Sequence, residues 1–133
     1  MLFRKTTSFL GILKRRKRNL RQKNIKTRCE KRKLPKFTEV CKTYDAVSYV
    51  YAEILSSCEE VKEIRCNVYL EGLAEGDYTS DFVCIKDNGD LMVRECVLRS
   101  QLIKPRTAKL LDVSRNYWTR RGVKDWGVVI NEE

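Results

Sequence analysis

Histidine is missing altogether from this chain of 133 residues. That absence removes Ser-His and Cys-His nucleophilic machinery, and with it the usual Cys/His zinc-finger ligand sets. Any hydrolytic chemistry then falls to carboxylates, lysine or arginine, helped by a metal ion. None of the six cysteines (29, 41, 58, 66, 84 and 96) forms a CxxC pair, so a thiolate metal site has no spacing signal. No signal peptide with a cleavage site is evident, and Cys41, Cys58, Cys84 and Cys96 fall at core-facing or strand positions. Free thiols in a reducing compartment are expected. No apolar run approaches the roughly 20 residues of a membrane-spanning helix, so no membrane partner is expected.

Acid is scarce in one part of the chain only. Residues 1–37 hold fifteen Lys and Arg against one acid, Glu30, a net of +14, whereas residues 38–133 hold thirteen bases and seventeen acids, a net of −4. The pattern divides the chain into a basic N-terminal arm, 1–37, and a mildly acidic domain, 38–133, whose length suits one compact unit. A dense run of like charge attracts polyanions by releasing their counterions, and nucleic acid is the commonest such partner. Lys14, Arg15, Arg16, Lys17 and Arg18, with Lys31, Arg32 and Lys33, are the arm's candidates for phosphate contacts, which position a protein without reading sequence. The Arg-rich, acid-free start also fits a transit peptide or a membrane-surface helix. The basic run's unbroken course to Lys36 favours the DNA-contacting arm.

Within the domain, Val47, Val50, Tyr51, Ile54 and Leu55 recur at helical spacing and predict an amphipathic helix over 43–57. Glu63–Leu70 alternates and is rich in strand formers. After a loop over 71–78, strands near Thr79–Lys86 and Asp90–Leu98 flank Asp87-Asn88-Gly89, a three-residue hairpin loop with Gly89 left-handed. That loop pairs Lys86 with Asp90 and so sets Asp81 opposite Glu95; a two-residue loop would put the two acids on opposite faces. Beyond Lys104-Pro105 a second helix runs to about Arg121, with Leu110, Leu111, Ser114, Tyr117 and Trp118 as its stripe and Gly122 as its cap. Trp126–Ile130 closes the chain as a strand. Helix, three strands, helix and strand make an α/β arrangement, a mixed sheet with helices on its faces.

Two carboxylates facing each other at the end of a hairpin are a good divalent-metal pair, although most such pairs are solvated surface acids. Here TSDFVCIKDNGDLMVRECV resembles the strand-turn-strand core of the PD-(D/E)XK nucleases. The segment QLIKPRTAKLLDVSRNYWTRRGVKDWGVVINE is similar to the TnsA endonuclease N-terminal domain, where PRT, a helix ending in Tyr-Trp, a Gly and a final Trp-Gly-hydrophobic strand follow one another. YVYAEILSSCEEVKEIR resembles that family's first helix and strand entry, so the likeness spans roughly residues 40–133. It implies a restriction-endonuclease-like core, DNA as substrate, a recombinase or transposase subunit as partner, and phosphodiester hydrolysis with Mg²⁺.

Family roles carry over unevenly. The second-strand metal ligand becomes Asp81 and the third-strand ligand Glu95. The lysine two residues further on falls on Val97, and the helix glutamate falls on Ser48. Two explanations fit the vacant roles. Either neighbouring groups have taken them over, Asp45 one turn before Ser48 and Arg99 two residues past Val97, or the domain has kept a DNA surface while losing catalysis. Val97 favours loss, because an apolar β-branched side chain cannot assist a hydrolytic water, and arginine is a poor base. Lys104 and Arg106 at the entry of the second helix add to the DNA-binding candidates. The expectation is a TnsA-like DNA-binding protein of transposition or recombination with impaired hydrolysis, cytoplasmic and of bacterial or phage origin. Its rival is a non-catalytic DNA-binding or structural assembly subunit, such as part of a phage particle, on the same fold.

Overall fold

The computed structural model describes residues 29–132. Two short strands come first, β1 (Glu30–Arg32) and β2 (Cys41–Thr43), followed by helix α1 (Ala46–Ser56). Strands β3 (Val61–Tyr69), β4 (Thr79–Lys86) and β5 (Leu91–Val97) come next. A 3₁₀ turn (Arg99–Gln101), helix α2 (Pro105–Arg120) and strand β6 (Asp125–Ile130) complete the chain. The four long strands form one mixed sheet in the order β3-β4-β5-β6. Its first three strands are antiparallel and β6 runs parallel to β5. A parallel neighbour needs a crossover connection, and α2 supplies it.

The β4–β5 hairpin follows its loop chemistry. Gly89 takes φ +92°, the Lys86 N–H donates to the Asp90 carbonyl at 2.8 Å, and the Gly89 N–H donates to the Lys86 carbonyl at 2.8 Å. The resulting register pairs Phe82 with Arg94, and one step further sets Asp81 opposite Glu95.

Strand alternation splits the core between the two faces of the sheet. Phe82, Cys84, Met92 and Cys96 pack with Val47, Ala52 and Leu55 of α1. Val83, Ile85 and Val93 pack on the other face with Tyr117 and Trp118 of α2. The stripe expected on α1 needs correcting. Val50 and Ile54 are 56% and 55% exposed, because the buried arc centres on Val47, Ser48, Ala52 and Leu55 and leaves those two on the helix flank. On α2 the expected stripe is the buried or half-buried one, and Tyr117 and Trp118 form an edge-to-face pair with ring centres 5.0 Å apart. The end of α2 is a Schellman cap. Gly122 has φ +87°, its N–H donates to the Thr119 carbonyl, and the Val123 N–H donates to the Trp118 carbonyl.

The β1–β2 pair was not foreseen. Residues 30–32, assigned by charge to the arm, pair antiparallel with β2 and belong to the folded unit. Cys41, Cys84 and Cys96 are buried, Cys29, Cys58 and Cys66 are half-buried, and all six are free thiols. Among the described residues no helix is long and apolar enough to cross a membrane.

Candidate functional site

Asp81 and Glu95 do meet, but deep in the protein: Asp81 is 3% exposed and Glu95 0%. Both face the α2 side of the sheet. One Glu95 oxygen, Oε1, accepts the Asp81 backbone N–H at 3.0 Å. The other, Oε2, accepts the Ser114 hydroxyl at 2.6 Å. Ser114 in turn accepts the Trp126 indole N–H at 3.0 Å. Asp81 Oδ2 accepts the Cys96 backbone N–H at 2.8 Å. Nearby, the Trp118 indole donates to the Ser80 hydroxyl at 2.9 Å. These bonds tie β4, β5, α2 and β6 together through side chains, in a low-dielectric setting where a missing partner is costly.

The positions around the pair are placed differently from one another. Ser48, at the place of the helix glutamate, is buried on the α1 side beside Cys96. Burial, reinforced by the Asp81 carboxylate, pushes the Cys96 thiol far above its usual range, so it stays protonated. Asp45 is the N-cap of α1 rather than a residue inside the helix, and its Oδ1 accepts the Ser48 N–H at 2.8 Å. Val97 is half-buried and lines a cavity of about 210 Å³ together with Asp45, Tyr78, Leu98, Leu110 and Leu111. The strand ends at Val97, so Arg99 does not continue its face. Arg99 sits in the exposed 3₁₀ turn, its backbone N–H donating to Asn131 Oδ1 at 2.7 Å and its Nε to the Asn131 carbonyl. Asp81, Glu95 and Asp45 thus lie near one end of the sheet, and the bonds of Arg99 go to Asn131.

The basic candidates separate as well. Lys104 caps the start of α2 and Arg106 follows in its first turn, both exposed. Lys31 and Lys33 are exposed. Arg32 between them points inward: its guanidinium meets Glu53 at 3.1 Å, donates to the Tyr49 carbonyl at 2.8 Å and stacks 3.6 Å over the Tyr49 ring. Lys14, Arg15, Arg16, Lys17 and Arg18 lie outside the described residues.

A hydrated divalent cation keeps several waters and needs carboxylate lone pairs turned toward them. Glu95 has no exposed surface and gives both oxygens to protein donors, so the pair does not fit Mg²⁺ in that form. Among the described residues no group of three or more Cys, Asp or Glu side chains is placed to hold a metal ion. In this arrangement the carboxyl oxygens of the pair sit in a hydrogen-bond network joining β4, β5 and α2.

The partners Ser114, Trp126, Ser80 and Trp118 were not singled out as a network by sequence. One signal was there: a serine inside the apolar stripe of α2 marks a buried hydroxyl in need of a partner. A second cluster escaped notice at the hairpin end of the sheet. Asp125 bridges Lys86 at 2.6 Å and Arg94 at 2.8 Å. Burial opposes the charge of Asp125, yet the hydrogen bonds from Lys86 and Arg94 outweigh it and hold the carboxyl below its usual range. Compared with protein-family models the chain matches none, and no curated protein matches it significantly.

Proposed function

We propose that this chain is a DNA-binding component of a transposition or recombination assembly, built on a TnsA-like nuclease core that no longer hydrolyses DNA. The observation that carries the loss of hydrolysis is Glu95, fully buried with both carboxylate oxygens on protein donors. Val97 and Ser48, in place of the lysine and the glutamate that the resemblance calls for, point the same way. The order α1-β3-β4-β5-α2-β6, with its last strand parallel to β5, is the order expected of a restriction-endonuclease-like core and supports that part of the reading. The net of +14 over residues 1–37 and the exposed Lys104 and Arg106 support DNA as the partner through counterion release. A second reading, a non-catalytic subunit of a larger particle, draws on the apolar side chains left exposed, Val50, Ile54 and Ile103.

The test incubates the full chain with supercoiled plasmid in Mg²⁺ and separately in Mn²⁺, beside Asp81→Asn, and reads retardation and nicking on one gel. The proposal expects salt-sensitive retardation without nicking. Nicking that Asp81→Asn abolishes would overturn the loss of hydrolysis. The absence of both retardation and nicking would overturn DNA as the partner.

A further inference from the structure

The basic stretch that runs into the fold does not end as a simple tail. Residues 1–28 carry eleven Lys and Arg and no acid, and the chain then enters β1, where its side chains alternate in direction. On the inward face, Arg32 is fixed to α1 through Glu53 and Tyr49, opposite the buried Cys41. On the outward face Lys31 stands directly across from Lys42 of β2. Both are exposed, as is Lys33 two residues beyond Lys31. Like charges directly opposite in an antiparallel pair repel and destabilise it. Among the described residues no acid lies within ion-pair distance of Lys31 or Lys42. Lys36 behaves differently, donating from Nζ to the Cys58 carbonyl at 2.5 Å. The lysines of this region therefore divide into one that serves the fold and a set held out to solvent.

We infer that the β1–β2 ribbon is a folded contact for the backbone of duplex DNA, with Lys31 and Lys42 side by side on phosphate, Lys33 extending the row, and Arg32 anchoring the ribbon to α1. The inference rests on the DNA-binding reading above and adds to it a defined, ordered surface. Duplex DNA is the partner the charge favours. It presents about one negative charge per 1.7 Å of axis, enough to occupy both the ribbon and the acid-free stretch that leads into it. Two ammonium groups on flexible four-carbon stems, rooted on paired residues, can reach two phosphates in succession. An anion placed there also removes the repulsion that the ribbon carries when free.

The experiment measures the affinity of the full chain for a short mixed-sequence duplex by fluorescence anisotropy across a range of salt concentrations. It compares wild type, Lys31→Gln/Lys42→Gln, and a control pair, Lys109→Gln/Lys124→Gln, with the same loss of charge elsewhere. Removing one lysine from a phosphate lowers the slope of log affinity against log salt by about 1. The ribbon double variant is expected to lose about 2 from that slope, with a melting temperature equal to or above wild type, and the control is expected to lose less than half as much. Equal losses in the two pairs would overturn the ribbon while leaving DNA binding in place. Wild-type protein that ignores the duplex, or prefers vesicles of acidic lipid to it, would overturn the DNA reading and the ribbon with it.

Discussion

Charge is handled in opposite ways at the two ends of the connection from ribbon to sheet. Around Glu95 a titratable side chain is sealed from water, and both of its carboxyl oxygens meet the protein's own donors. On the ribbon, Lys31 and Lys42 are set against each other and left in solvent. Burying a polar carboxyl group is tolerable only when hydrogen bonds replace its hydration, so losing a partner from the Glu95 network is costly to the fold. Leaving two lysines in mutual repulsion adds nothing to the stability of the ribbon, and the inference above gives them a use on phosphate. A charged residue can therefore be sorted into structure or contact by asking who satisfies it, and the neighbours Lys31 and Arg32 are sorted in opposite directions.

Mutations break this comparison in a definite order. Glu95→Ala strands the Asp81 N–H and the Ser114 hydroxyl and is expected to cost on the order of 3 kcal/mol in urea unfolding, with little change in DNA affinity per folded molecule. Ser114→Ala removes both the donor to Glu95 and the acceptor for Trp126, and is expected to cost about 2 kcal/mol by the same measurement. Arg32→Ala sharpens the contrast with its neighbours. It is expected to lower stability by about 1 kcal/mol, through its stacking and its partly exposed ion pair, whereas Lys31→Gln/Lys42→Gln lowers it not at all. The smallest effect concerns Asp125. Its carboxyl titrates lower in the folded chain than in the unfolded one, so its contribution is complete above the ordinary carboxylate range and declines as pH falls through the depressed value. The stability gap between wild type and Asp125→Asn is therefore expected to stay constant near neutrality and to close below about pH 4.

Much of the sheet was legible from local chemistry. Gly89 and the three-residue loop set the hairpin register and with it the meeting of Asp81 and Glu95, and Gly122 marked the end of α2. What escaped were features without a period. A three-residue strand such as β1 is too short to show alternation, and its lysines read as tail. The inward turn of Arg32 depends on Tyr49 and Glu53, which approach it only in the folded chain. The site was half legible for a similar reason. Sequence register brings two carboxyl groups together, but their enclosure depends on tertiary packing, which sets Ser114 of α2 against Glu95. The α1 stripe failed at Val50 and Ile54 because helical spacing identifies an apolar face without saying how wide an arc the sheet will cover.

The most direct test of the central claim, that Asp81 and Glu95 hold the fold rather than a metal, is the melting temperature of the full chain with and without millimolar Mg²⁺ or Mn²⁺, and with duplex DNA. A ligand that binds the folded state raises the midpoint by mass action. The account requires no change with either metal and a rise with DNA. A metal-dependent rise that disappears in Asp81→Asn would contradict it.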